Sequence, residues 1–268
     1  MADSPIDPST ASTSAAALPA AQAPDPPILA MMINAFGPKR VVHRTDRAEI
    51  RLYHESTEHG RQSSDPAWLD EPLGYFHRQG PLGDALTALA APGALAIIGL
   101  GVGAAAAYGR ADQRMLFLEL DPAMVVIAER HFHYLRRSKA AIEVRVGDGR
   151  ALLEAAAGER FQIILLDAYD DGEVPPHLLD EGALHLYLQR LAPGGALLFH
   201  ATQGQDGLLP VLAGHAKAMG LSLLTRRLDV ADEEAQGEQR QTCRYVALAR
   251  SDSDLAALAA RPGWTGRT

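Results

Sequence analysis

A glycine loop and a series of acids carry most of the chemistry legible in this chain. "GALAIIGLGVGAAAAYGR" (residues 93–110) sets Gly99, Gly101 and Gly103 behind a run of apolar residues. Glycines there let the backbone turn sharply and let a ligand approach with no Cβ in the way. The stretch also fits the dinucleotide fingerprint with alanine last (Gly99, Gly101, Ala104), so the loop alone leaves a dinucleotide, a phosphate and a nucleoside open. Glu119 closes the run "MLFLEL", 20 residues beyond Gly99, where a carboxylate would take two ribose hydroxyls. "VGDGRALL" then places Asp148 and Gly149 on the adenine side, where a carboxylate or its neighbouring backbone accepts from the exocyclic amine. Asp148 is also a natural N-cap for the helix that follows. A dinucleotide domain has no general need for that third acid, so the three features in order favour an adenosyl sulfonium over NAD.

More acids follow in "IILLDAYDDGEVPPHLL". Asp167 comes directly after four apolar residues, and Asp170, Asp171 and Glu173 crowd the loop behind it. Carboxylates gathered at one pocket mouth repel each other, and a cationic partner relieves that cost. A substrate amine is such a partner. It arrives protonated, and attack on carbon needs its lone pair, so a nearby carboxylate must take the proton. Asp167 is the candidate for that role. Asp170, Asp171 and Glu173 read equally as a solvated loop.

Other reactive residue types are set aside. His131 and His133 lie two apart on a helix and point in different directions, so they do not share a metal. His177, His185 and His200 are scattered and read as packing or surface residues. The single Cys243, in "CRYVALA", supplies neither a disulfide framework nor a thiolate metal site. There is no serine-centred nucleophile elbow. No metal is expected.

The site residues need a sheet to hold them. From Leu95 the pattern repeats strand, turn and helix: "LAIIG", "MLFLEL", "IEVRVGD" and "FQIILLD" are apolar runs, each followed by a helical stretch. Such alternation predicts βαβ units and an α/β fold, a mostly parallel sheet of about seven strands covered by helices on both faces. Ligands of such sheets bind outside the carboxyl ends of the strands, where Gly99, Glu119, Asp148 and Asp167 fall. Upstream, "RVVHRTDRAEIRLYHE" (40–55) predicts a small β-hairpin, and "HGRQSSDPAWLDEP" (59–72) reads as loop. Leu82, Leu86 and Leu89 mark a helix beginning near Leu82, and a longer helix is expected from Pro122 to Leu135. Three regions result: a disordered Ala/Pro/Ser-rich tail over 1–27, a hairpin and substrate-loop element over 28–80, and a nucleoside-binding α/β domain over 81–268.

Composition closes off other classes. Of 268 residues, 47% are hydrophobic and 22% charged, with a formal net charge of −8. That balance, with no Lys/Arg-rich block against it, excludes a nucleic-acid partner. The uncharged run 91–109 is broken by glycines and a proline, so it is no membrane span of about 20 apolar residues. The tail lacks Lys and Arg, hence the positive region of a secretory signal. A soluble, cytoplasmic protein is expected.

Taken together, "IIGLGVG", "LELDP", "VGDGRALL" and "ILLDAYDD", in this order and spacing, resemble the polyamine aminopropyltransferases, the spermidine synthase family. "HGRQ" and "EPLGYFHRQGPLGDAL" resemble the segment that precedes that family's glycine loop. The nearest likeness is to the bacterial spermidine-synthase-like branch. The resemblance implies a Rossmann-like sheet of class I methyltransferase type, with the late strand "CRYVALA" antiparallel. It implies that Gln62 contacts the sulfonium nucleoside and that Tyr75 lines the amine pocket. Glu119 would hold the ribose, Asp148 the adenine side, Asp167 would be the catalytic aspartate, and Asp170 a second acid holding the amine. The chain also departs from the pattern. Val102 stands where typical members carry an aspartate that binds the donor's ammonium, Phe76 replaces a glutamine after the pocket tyrosine, and Asp171 replaces a proline.

The function this implies is transfer of an aminopropyl (alkyl) group from decarboxylated S-adenosylmethionine, or S-adenosylmethionine itself, as co-substrate. The acceptor would be a small amine such as putrescine, Asp167 the general base, and the assembly a homodimer paired through the hairpin. Two alternatives stand beside it: an S-adenosylmethionine-dependent methyltransferase, which Val102 favours, and a catalytically silent nucleoside- or amine-binding module.

Overall fold

The computed structural model describes residues 26–89, 91–169, 172–201, 207–231 and 240–266. The predicted tail lies almost wholly outside the described residues, as do Asp170 and Asp171. The first sheet is antiparallel, in the order β1 (Ile28–Asn34), β2 (Gly37–Arg44), β3 (Glu49–His54) and β4 (Thr57–Ser63). The predicted hairpin is its β2–β3 pair. Each of those strands is paired on both sides, so strand addition across a two-fold axis would have to use β1 or β4 instead.

Residues 59–63, which the sequence predicts as loop, belong to β4. "TEHGRQS" hides its strand because its inward residues are polar and matched to one another. Arg61 binds Glu58, Arg51 binds Glu49 and Glu58, and Gln62 is hydrogen-bonded through both ends of its amide. Buried charge survives where it is paired, and such pairing leaves no apolar alternation to read.

The large sheet has the order β12-β10-β11-β9-β8-β5-β6-β7. Strands β5 (Gly93–Ile98), β6 (Gln113–Glu119), β7 (Ala141–Val146), β8 (Phe161–Leu166) and β9 (Leu191–Ala201) pair in parallel. As predicted, β11 (Cys243–Ala249) is antiparallel, lying between β9 and β10 (Ser222–Leu228); β12 (Thr265–Gly266) extends the edge. Alternate residues point to opposite faces. Leu95, Ile97, Phe117 and Leu165 enter one core, while Ala96, Ile98, Leu116 and Ile164 enter the other. Burial on both faces is why these strands read as unbroken apolar runs.

Helices α1 (Pro81–Ala88), α2 (Pro122–His131), α3 (Tyr134–Arg137), α4 (Gly149–Ala155), α5 (Glu181–Arg190) and α6 (Leu208–Met219), with a last helix at Asp252–Ala259, cover those faces. The helix predicted over Pro122–Leu135 breaks at Phe132, which is extended (φ −121°, ψ 164°). The freed His133 N–H donates to Gln62 Oε1 at 2.8 Å, so the small sheet takes the bond that a continuous helix would have made. The Ala-rich stretch after the glycine loop is a single 3₁₀ turn, Ala104–Tyr108. Among the described residues no helix is long and apolar enough to cross a membrane.

The small sheet sits over the carboxyl ends of β5 and β6. Lys39 on β2 is buried with its Nζ 2.6 Å from Asp121 Oδ2, and Asn34 Nδ2 donates to Asp121 Oδ1 at 2.6 Å. Tyr134 Oη lies 3.1 Å from Arg61 O and 3.0 Å from Glu71 O.

Candidate active site

The strand ends converge as an open parallel sheet requires. β5 runs into Gly99, Gly101 and Gly103, with φ of +97°, +53° and +80°. These left-handed values suit glycine, and Gly99 has a steric reason as well. A Cβ there would sit 2.2 Å from the carbonyl oxygen of Asp167. The glycine loop and the acidic loop therefore leave the sheet in contact.

Glu119, at the end of β6, accepts from the N–H of Leu100 (2.9 Å) and from that of Asp121 (2.8 Å). The predicted ribose acid is thus also the pin between the glycine loop and the β6–α2 turn. Burial pushes its carboxyl up from the ordinary range, against the backbone bonds that favour the charged form. Asp148 caps α4 by accepting from Ala151 N–H (2.9 Å), so its helix-capping role is realised. Its other oxygen lies 2.8 Å from His177 Nε2. Burial works against its charge, but the Ala151 N–H and the His177 ring outweigh it and hold the carboxyl below its usual range. Gly149 is buried in the first turn of the helix that Asp148 caps.

Asp167 follows β8, and its N–H donates to Ile98 O at 2.9 Å. Its Oδ1 lies 2.7 Å from Nδ1 of His200, near the end of β9. The His200 ring is stacked between Tyr75 (centroids 4.2 Å apart, planes 20°) and Tyr245 (4.9 Å, 22°). Tyr169 meets it edge-on at 5.6 Å, and the Tyr169 hydroxyl donates to the His200 carbonyl. Tyr75 and Asp167 are therefore brought to the same side chain, that of His200. His59 on β4 is close by: burial, then the neighbouring His54, push its pKa down to about 4, while the charge of Asp167 pulls the other way.

Other predicted residues stand apart. Gln62 is fully buried; its Nε2 donates to Leu69 O (2.7 Å), and His133 N–H donates to its Oε1. It staples β4 to the α2–α3 junction. Val102 is 1% exposed and packs against β4, where a Cβ on Gly60 would come within 2.6 Å of it. Asp170 lies outside the described residues. Sequence reasoning missed His177 and His200. His200 is a packing residue as expected, yet it also bonds the catalytic candidate, and no local pattern in "LLFHA" announces that.

A mostly parallel sheet covered by helices, with the glycine loop, Glu119, Asp148 and Asp167 at the carboxyl ends of its strands, has a Rossmann-like fold of class I methyltransferase type. No family model matches the chain. Within that class it is similar to a polyamine aminopropyltransferase of Vibrio vulnificus, 33% identical over 112 residues, which are 40% of this chain and 37% of that protein. The sequence match thus spans little more than a third of that relative. The fold likeness is wider. A probable spermidine synthase from Corynebacterium glutamicum matches at TM-score 0.60 and 12% identity, over 90% of this chain and 91% of that one. A spermidine synthase in complex with the transition state analogue AdoDATO matches at TM-score 0.61 and 10% identity, over 88% and 79%. The predicted fold and the resemblance to the spermidine synthase family are borne out.

Proposed function

We propose that this protein transfers an aminopropyl group from an adenosyl sulfonium to a small amine of the putrescine class. One observation carries the proposal: Asp167 and the ring of Tyr75 both meet the His200 ring, and the Asp167 backbone lies against Gly99 of the glycine loop. Glu119 would hold the ribose hydroxyls of the donor, Asp148 the adenine side, and the backbone of Gly99, Gly101 and Gly103 would lie along the nucleoside. The donor supplies a carbon on positively charged sulfur, a good leaving group, so alignment of the amine accounts for much of the rate. Asp167 drives removal of the amine proton that blocks attack. A spermidine synthase of similar fold forms a complex with the transition state analogue AdoDATO, which supports an adenosyl donor for this fold.

The buried Val102 favours a second reading, methyl transfer from S-adenosylmethionine, because an apolar side chain there makes no ion pair with the ammonium of a decarboxylated donor. Calorimetry with decarboxylated S-adenosylmethionine, S-adenosylmethionine and methylthioadenosine tests the choice. Tighter binding of the decarboxylated donor and of methylthioadenosine is expected. Preference for the carboxylated donor would shift the reading to methyl transfer, and no binding of any would mark a silent module. As the assembly we propose a homodimer, supported by Ile28, Met31 and Ile33 exposed on the edge strand β1. A monomer mass by light scattering would remove it.

A further inference from the structure

We propose that Nε2 of His200 is the atom that takes the proton of the acceptor amine, with Asp167 as the positioning residue behind the ring. This rests on the amine transfer proposed above and relocates its proton acceptor. An ionised carboxylate only accepts hydrogen bonds, so in the 2.7 Å contact with Asp167 Oδ1 the hydrogen belongs to His200 Nδ1. That contact fixes the neutral ring as the Nδ1–H tautomer and leaves the Nε2 lone pair free. Nε2 has no hydrogen-bond partner among the described residues. The His200 side chain is nearly buried, 3% exposed, beside the 9% exposed side chain of Asp167. The ring cannot swing away, because Tyr75 and Tyr245 sandwich it and Tyr169 holds the backbone carbonyl of the same residue. An imidazolium formed there would have Asp167 in its plane and two aromatic faces above and below, both of which favour the cation.

Of the other titratable groups around the ring, two phenols and His59 are neutral near pH 7. Burial pushes the phenols of Tyr75 and Tyr245 well above their usual range and His59 down to about 4. Tyr169 is the remaining phenol against the ring, and Glu58 and Arg61, behind Tyr75, pair with each other. The histidine–aspartate pair is the part that changes. In the step itself, the substrate ammonium gives a proton to Nε2, and the ring becomes an imidazolium paired with Asp167. The freed nitrogen lone pair forms the new N–C bond as the C–S bond breaks. The electrons of that bond leave on sulfur as a neutral thioether, and the positive charge passes to the secondary ammonium product.

The test compares wild type, His200→Gln and Asp167→Asn in aminopropyl transfer from decarboxylated S-adenosylmethionine to putrescine across the pH range, with methylthioadenosine affinity measured alongside. Wild-type kcat/KM is expected to fall on the acid side. His200→Gln should lose that limb and on the order of 10²–10⁴-fold in turnover, with methylthioadenosine affinity retained. Nitrogen-15 NMR of histidine-labelled wild type should show the hydrogen on Nδ1 of His200, and Asp167→Asn should abolish that signature. A His200→Gln variant with wild-type turnover and the same acid limb would overturn the proposal, as would an Nε2–H tautomer in wild type. If wild type binds methylthioadenosine but transfers to no amine from either sulfonium, the transfer reading fails. The tautomer measurement then decides separately whether the pair is built as described.

Discussion

Lys39→Met would cut the tie between the small sheet and the nucleoside end of the large one. Lys39 Nζ lies 2.6 Å from Asp121 Oδ2 and also reaches Asn34 Oδ1 (3.0 Å), Phe36 O (3.2 Å) and Gly37 O (3.0 Å). Both partners are buried, Lys39 at 2% and Asp121 at 4% exposure. Asp121 caps α2 through Ala123 N–H (2.8 Å), and its own N–H holds Glu119, so the pair stands one bond behind the predicted ribose acid. Without the ammonium, a buried carboxylate keeps only neutral donors, Asn34 and Ala123. Removing one member of a buried ion pair costs about 3–5 kcal/mol, and the two surviving donors put this case near 3. At about 2–4 °C per kcal/mol, the melting temperature should fall by on the order of 10 °C. Adding Asp121→Asn should restore part of the loss, because the orphaned charge is then gone. Burial works against the charge of Asp121, but Lys39, Ala123 and Asn34 together hold its carboxyl below the ordinary range. Its stabilisation is therefore fully present above the unfolded carboxyl pKa of about 4 and lost as pH falls through the lower folded value. The gap between wild type and variant should narrow over that acid window. Scanning calorimetry reads both effects, and a variant melting with wild type at neutral pH would refute the reasoning.

Two further substitutions separate loop geometry from ligand contact. Gly99→Ala puts a Cβ 2.2 Å from Asp167 O at a φ of +97°, so the backbone strain alone should cost about 1–3 kcal/mol in urea unfolding and weaken methylthioadenosine binding. Gly214→Ala, in α6 with open space around it, should instead gain up to about 1 kcal/mol; equal behaviour of the two would discredit the close-approach argument. Glu119→Ala removes the ribose acid and orphans the N–H groups of Leu100 and Asp121, so methylthioadenosine affinity should fall on the order of 10²-fold or more in calorimetry. Unchanged affinity would reduce Glu119 to a loop pin.

What was legible in the chain follows from how each residue is held. Gly99, Glu119, Asp148 and Asp167 stand where apolar strands run out, so hydrophobic pattern alone locates them at one end of a parallel sheet. The antiparallel β11 came only from resemblance, since "CRYVALA" reads the same in either direction. β4 was missed because its buried side chains are ionic or amide and satisfy one another. His200 and His177 were missed for a topological reason. Their partners lie 33 and 29 residues away, and they meet only because β8 and β9 are neighbours and because a 3₁₀ turn at Pro176–Leu178 folds back over α4. Gln62 shows the opposite limit. A family motif assigns it to the nucleoside, while in this fold its amide is taken up by Leu69 and His133.

The central claim is an alkyl transfer to an amine that depends on Asp167. It is tested most directly by incubating the protein with decarboxylated S-adenosylmethionine and putrescine, wild type beside Asp167→Asn, and following aminopropylated amine and methylthioadenosine together. The account predicts both products in equal amounts from wild type. Asp167→Asn should lose on the order of 10²–10⁴-fold in turnover while still binding methylthioadenosine. Raising the pH toward the pKa of the free amine should recover part of that loss, because more acceptor then arrives deprotonated. Full-rate turnover by Asp167→Asn at saturation, with donor binding weakened instead, would contradict the account and make Asp167 a nucleoside ligand.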